Sequence, residues 1–377
     1  MDKRTVFTLA LAMTGLITLR PDGLQAATQE EGGPVVAAGL NNPRGLAFGP
    51  DGALYVAEAG SGGDGPCAEG AEGLRCLGTS GAIARIDLRR GALRRVATGL
   101  PSAALADGSF ATGPHGIAFN GRGGADVTIG YGGDPANRTV DFGPEGEQFA
   151  RLVAVSPSGH WTLAEDLGNY EAGANPTGDE VDSNPYGLVA LPGRLVIADA
   201  GANALNEVAA NGTVTTLATF PDGVAEAPEF LGLPPGTLLP MDTVPTSVAQ
   251  GPDGSFYVGQ LTGFPFPAGR ANIYRVPAHG GPAEVFAEGF TAIIGLAFAP
   301  DGSLLVVEIA RNGLVAAFLE NDWTGALIRI APDGARSELA AGALTAPGGV
   351  AVDRDGAIYV TNKSIFSGAG EVVRVEP

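Results

Sequence analysis

Two sets of residues have the types and spacing to do chemistry. Glu58, Tyr131, Asp199, Gln260, Glu308 and Asn362 each close an apolar run that follows a tight turn, at equivalent points of a repeating pattern. Three carboxylates and two amides so placed make an oxygen-rich set of the kind that holds a hard cation such as calcium, with Glu58, Asp199 and Glu308 as its charged ligands. Strand ends that meet water are polar as well, so the same pattern has a purely structural reading. The second set, Arg44, His115, Tyr186, Thr246, Ile294 and Gly348, stands one residue before the Gly or Ser of each repeat. His115 brings the set its imidazole and is a candidate general base. Elsewhere the catalytic signatures are missing: there is no Gly-x-Ser-x-Gly, no His-Glu-x-x-His, no Cys-x-x-Cys and no phosphate-cradling glycine loop. Asp179, Glu180 and Asp182 form an acidic cluster whose simplest reading is a solvated loop. Phe264 and Phe266 sit on an insertion that reads either as a lid packed on the rim or as a platform for an apolar ligand.

The elements that must position these residues are repeats. Pro43-Arg-Gly-Leu-Ala-Phe48, a Pro50-Asp-Gly52 turn and Ala53-Leu-Tyr-Val-Ala57 read as a β-hairpin. The unit returns with its small residue at Gly116, Gly187, Ser247, Gly295 and Gly349, 48 to 71 residues apart. A third apolar run and a fourth follow each hairpin, so the repeat is a four-stranded propeller blade and the chain an all-β, six-bladed β-propeller. The last copy lacks a fourth strand, and Val35-Val-Ala-Ala-Gly-Leu40 has the fourth-strand pattern. The expectation is a ring closed by the N-terminal strand pairing into the last blade. In a meandering blade the tight turns share one face, and the long insertions, such as 59–80, 168–183 and 309–324, share the other. Binding is expected on the long-loop face. The repeated Arg of the third strand (Arg85, Arg275, Arg329, Arg374) is expected to join one blade to the next.

A repeat array of this kind forms one core, so residues 28–377 read as a single domain. Residues 1–27 carry Lys3 and Arg4, an apolar run and a small-residue cleavage site, the pattern of a signal peptide. A secreted or periplasmic location follows, with no stable membrane insertion after cleavage. A formal charge of −19 disfavours nucleic acid and anionic membranes as partners. Cys67 and Cys76 lie within one insertion, and in an exported chain they are expected to form a local disulfide.

The strings Gly113-Pro-His-Gly116, Asp182-Ser-Asn-Pro-Tyr-Gly187, Pro245-Thr-Ser-Val-Ala249, Tyr257-Val-Gly-Gln-Leu-Thr-Gly-Phe-Pro-Phe-Pro267 and Thr324-Gly-Ala-Leu-Ile-Arg-Ile330 resemble the ScyD/ScyE family. These are exported bacterial relatives of the NHL-repeat propellers, named for members associated with biosynthesis of the pigment scytonemin. The resemblance spans about 35 to 377 and implies a six-bladed propeller and export, but no reaction. Gln260 stands where the family pattern leads one to expect Glu, which removes one anionic ligand from the first set. Three functions stay open at this stage. The first is a binding propeller holding a small molecule or a protein partner around Arg44, His115, Tyr186, Tyr131, Gln260 and Asn362. The second is a gluconolactonase-like hydrolase with calcium in the channel mouth and His115 or a carboxylate as base, and the third a structural module of the cell envelope.

Overall fold

The structure, a computed structural model, describes residues 33–121 and 123–376; residues 1–27, which the sequence reads as a signal peptide, lie outside them. Alternating apolar residues and turn glycines generate six antiparallel four-stranded sheets. The first blade runs Pro43–Phe48, Leu54–Glu58, Gly73–Asp87 and Ala92–Ala104 from the axis outward. The innermost strands of the remaining blades are Pro114–Phe119, Pro185–Leu191, Pro245–Gln250, Ile293–Phe298 and Val350–Val352. Neighbouring innermost strands touch in ring order, and the last of them touches the first.

Closure occurs as the sequence predicts. Val35–Leu40 pairs antiparallel with Gly370–Val375, with Val35 opposite Val373 and Leu40 opposite Gly370. Leu40 is fully buried there, in a cluster with Leu54, Val56, Ile86 and Val372 that joins the first and last blades. A second tie crosses the same seam: the Thr361 hydroxyl donates to the Arg44 carbonyl at 2.7 Å and accepts from the Gly349 amide at 2.7 Å. Thr128 does the same between the second and third blades, donating to the Tyr186 carbonyl and accepting from Gly116.

The repeat glycines are explained by crowding at the axis. A Cβ on Gly116 would lie 2.5 Å from the Tyr186 carbonyl oxygen, and one on Gly187 would lie 2.9 Å from the Thr246 carbonyl and from Ser247 Cα. Backbone cannot yield as a side chain can, so the innermost strands approach only where the side chain is absent or small. On the opposite face, the Pro-Asp-Gly turns put Gly52, Gly254 and Gly302 at φ of 74°, 79° and 85°. Their aspartates receive the third-strand arginines: Arg85 Nε lies 2.9 Å from Asp51, Arg275 Nε 2.9 Å from Asp253, and Arg329 pairs with Asp301. These arginines therefore bind within a blade and not between blades, because the turn that precedes the second strand folds over the third. Such exposed pairs contribute little, because water and salt screen them.

The insertions acquire structure of their own. Blade one's third and fourth strands extend past the sheet into a ribbon, onto which Cys67–Gly70 pairs as a further strand. Helices α1 (Arg138–Phe142), α2 (Leu167–Ala174) and α3 (Leu314–Glu320) rise from the second and fifth blades and the link that follows the second. A hairpin of Gly223–Glu226 and Leu238–Met241 stands between the third and fourth. No helix among the described residues is long and apolar enough to cross a membrane.

Candidate functional site

The first residue set does not converge. Each member but Tyr131 is turned into its own blade, where it accepts from a backbone amide near the strand ends. Glu58 is fully buried, and its Oε2 accepts from the Asn41 amide at 2.8 Å and from Arg95 at 2.7 Å. Asp199 Oδ1 accepts from the amides of Asn184, Gly201 and Ala202, while Oδ2 accepts from the Ser183 hydroxyl. Glu308 accepts from the Thr291 amide at 2.7 Å. Asn362 accepts from the Thr345 amide, and Gln260 from the Asn272 amide and, more distantly, the Tyr274 hydroxyl. The role common to Glu58, Asp199, Glu308 and Asn362 is to fix the link that enters the same blade's innermost strand. Among the described residues no group of three or more His, Cys, Asp or Glu side chains is arranged to hold a metal ion. Glu58, Asp199 and Glu308 thus each give at least one oxygen to a local amide, although Glu58 Oε1 is buried without a partner.

Tyr131 does not belong to that ring. Pro114 pairs with Ile129, as Pro43 pairs with Glu58 and Pro185 with Asp199, so Ile129 holds the equivalent position. Tyr131 lies two residues further on, packs against Phe142 and Phe149, and donates to Asp141. Burial first, and then the Asp141 carboxylate, raise its hydroxyl pKa far above 10.

The second set stands at the starts of the innermost strands and divides in two. Tyr186 and Ile294 join an apolar cluster that includes Trp323, Leu314 and Ile365, with Phe110 and Phe266 at its edge. Phe110 stacks on Phe318 at 5.8 Å and leans on Trp323 at 5.6 Å. Phe266 thus belongs to the lid that the sequence allowed. Thr246 donates to the Ile293 carbonyl at 2.6 Å, and Gly348 is a close-approach glycine. Arg44 and His115 form the polar part.

His115 is buried between blades two and three. Its ring lies 4.3 Å from that of Tyr186, centroid to centroid, and Nδ1 is 3.3 Å from the Pro185 carbonyl oxygen. Burial lowers the imidazole pKa to about 3, and the neighbouring cations Arg44 and Arg75 push in the same direction. The ring is neutral at physiological pH. A carbonyl can only accept, so the proton is on Nδ1 and Nε2 carries a lone pair. Arg44 is held from above by the link between the first and second blades: buried Asn42 gives Nδ2 to the carbonyls of Gly60 and Gly108, and the loop so fixed presents the Ala111 carbonyl to Arg44 Nη2 at 2.8 Å.

Two residues here escaped the sequence reading. Arg75 is on the inserted ribbon, next to Cys76, which is bonded to Cys67 as expected. Glu171, on α2, is fully buried, and neither carboxylate oxygen has a hydrogen-bond partner. Burial, followed by the negative charges of Asp199 and Asp182, raises its pKa to about 7. Neither residue lies in the repeated part of a blade, and no periodic signal marks it.

No family model matches the sequence, and no curated protein matches it either. Solved structures do. A Bacteroides thetaiotaomicron protein of unknown function aligns with a TM-score of 0.55 at 10% identity, over 92% of this chain and 76% of the other. A Thermus thermophilus protein described as a putative oxidoreductase (glucose dehydrogenase) gives 0.51 at 17%, over 91% and 99%. An auxiliary nutrient binding protein from Bacteroides thetaiotaomicron gives 0.52 at 10%, over 90% and 70%. At such identities the likeness is one of fold alone. The chain is a six-bladed β-propeller.

Proposed function

We propose that the protein is an exported binding propeller of the ScyD/ScyE kind, holding a small molecule at the channel mouth on its long-loop face around Arg44, His115 and Tyr186. The observation that carries this reading is bonding capacity left unused in a buried place. Arg44 is 8% exposed, yet its guanidinium makes one hydrogen bond, to Ala111, and its Nε is buried without a partner. Polar groups so placed are ordinarily satisfied, and a ligand is the simplest partner still to come. Export is supported by the signal-like pattern of residues 1–27 and by the Cys67–Cys76 bridge. The calcium-dependent hydrolase reading is not carried further, because Glu58, Asp199 and Glu308 each give an oxygen to a local amide.

The test is a thermal-shift and ligand-observed NMR screen of a small-molecule panel against the wild type and against Arg44→Gln and His115→Leu variants. Compounds that stabilise the wild type and lose their effect in both variants support the mouth as the site. Hits that bind all three proteins equally would remove it. Intact mass of protein recovered from outside the cytoplasm reports on export, and a chain retaining residues 1–27 in the cytoplasm would contradict it.

A further inference from the structure

Three arginines are buried among the described residues: Arg44, Arg75 and Arg138. Arg138 shows what a structural buried arginine looks like in this protein. It is paired with Asp166, and the rest of its guanidinium bonds to the carbonyls of Pro135 and Phe149 and to Asn169. Arg44 and Arg75 have no carboxylate. Arg75 is 7% exposed, makes no hydrogen bond to any described residue, and has a buried, unpartnered Nε. An unpaired buried cation is among the most unfavourable arrangements a fold can contain, and a chain with 41 acidic residues had ample means to neutralise it.

The ribbon that carries Arg75 adjoins the loop over Arg44: Cys76 pairs with Ala104, Ala104 packs on Ala111, and the Ala111 carbonyl receives Arg44. Arg44 precedes Gly45, whose Cα side abuts the His115 carbonyl of the next innermost strand at 2.8 Å from a would-be Cβ. Arg75 is on the inward side of the ribbon: Leu74 before it is exposed, and Leu77, two residues on, packs in the cluster of Tyr131, Phe142 and Phe149. The charges of both arginines reach the His115 imidazole, and that of Arg75 also reaches Tyr131. One cation therefore comes from the rigid floor and the other from the inserted ribbon. The Cys67–Cys76 bridge lies directly across the ribbon hairpin and one residue from Arg75, so it anchors the second cation.

We infer that Arg44 and Arg75 are the two jaws of an oxyanion clamp, which takes a small organic molecule by its carboxylate while the neutral His115 Nε2 accepts from a hydroxyl on that molecule. The inference rests on the reading of the mouth as a binding site and adds the ligand's class and a second residue to it. Guanidinium donors in a dry setting favour carboxylates strongly, since each charge-assisted bond is shorter and about twice as strong as a neutral one. An aromatic or apolar body on the ligand would lie against Tyr186 and Phe110.

The experiment uses 4-hydroxybenzoate as probe, 4-hydroxybenzamide as its uncharged counterpart and inorganic phosphate as an oxyanion without an organic body, all titrated at matched ionic strength by calorimetry. We expect the benzoate to bind at least about 10-fold more tightly than the amide, and Arg44→Gln and Arg75→Gln each to remove about 10-fold or more. Phosphate binding that depends on both arginines supports the clamp and assigns recognition to the oxyanion alone. A second measurement guards against misfolded variants: Arg75→Met should raise the melting temperature of the ligand-free protein, because an uncompensated charge is lost, and should abolish the rise produced by the benzoate. A structural arginine would do the reverse. Equal affinity for benzoate and amide, unaffected by Arg75→Gln, overturns the clamp and leaves the mouth as a neutral-ligand site. Absence of any arginine-dependent stabilisation by millimolar benzoate or phosphate overturns the clamp whatever the ligand-free melting temperature.

Discussion

Glu171 gives the sharpest test of how the inserted elements are held. Its carboxyl is fully buried beneath α2, has no hydrogen-bond partner, and is pushed from 4.5 to about 7 by burial and by Asp199 and Asp182. Because the folded value lies above the unfolded one, the folded protein retains this proton more firmly between about pH 4.5 and 7. Stability therefore falls as pH rises through that window, and the loss is complete above it. At about 1.4 kcal/mol per pKa unit, the ionised carboxylate costs about 3 kcal/mol at pH 8. Glutamine has the same shape and cannot ionise, so Glu171→Gln should recover up to that amount at pH 8 and close to nothing at pH 4. An unfolding entropy of about 0.7 kcal/mol/K for a chain of this size converts 3 kcal/mol to a rise of about 4 °C. Differential scanning calorimetry of both proteins from pH 4 to pH 8 measures it. Glu308, likewise raised to about 7 by burial, titrates in both proteins and cancels in the difference. A melting difference that is the same at both ends of the range would refute the reasoning, as would its absence at pH 8.

Other outcomes follow from the same geometry. Gly116→Ala should destabilise by at least about 1–3 kcal/mol, because the new methyl meets the Tyr186 carbonyl at 2.5 Å; chemical denaturation reads the difference. Leu40→Ala opens a cavity in the seam between first and last blades and should remove about 2–5 kcal/mol by the same measurement, and a loss below about 1 kcal/mol would mean the closing strand is loosely held. Asp199→Asn should lower the melting temperature by equal amounts in calcium and in chelator, since its oxygens serve Asn184, Gly201, Ala202 and Ser183; a larger drop in calcium would restore a metal role. Intact mass after non-reducing alkylation should show no free thiol, because Cys67 and Cys76 are bonded.

The blades and their closure were legible because they are repeated: the same alternation and the same Pro-Asp-Gly turns recur, and Val35–Leu40 carries the pattern that the last copy lacks. The position of Arg44 and His115 as second residues of innermost strands followed from the repeat alone. What the repeat could not convey was the direction in which a strand-end side chain turns. Glu58, Asp199 and Glu308 occupy equivalent places, but each finds open amides within 3 Å in its own blade, and local bonds of that kind prevail over a distant shared ion. Tyr131 was misplaced because Gly130 and Tyr131 continue the second run past the last paired residue, Ile129. Arg75 and Glu171 stand in insertions present in one blade each, where only the folded chain brings them to His115 and Asp199.

The seam between the first and last blades also sets an order of events during synthesis. Val35–Leu40 is synthesised about 330 residues ahead of its partner, Gly370–Val375. At about 5–20 residues per second, the early strand waits roughly 20–70 s for the segment it will pair with. Throughout that interval five blades can stack while the ring stays open, with two bare sheet edges able to recruit another chain. The fold that has no free seam once complete is, while being made, a protein with a sticky beginning, and its yield in a cell should depend on what shields that strand until the last blade arrives.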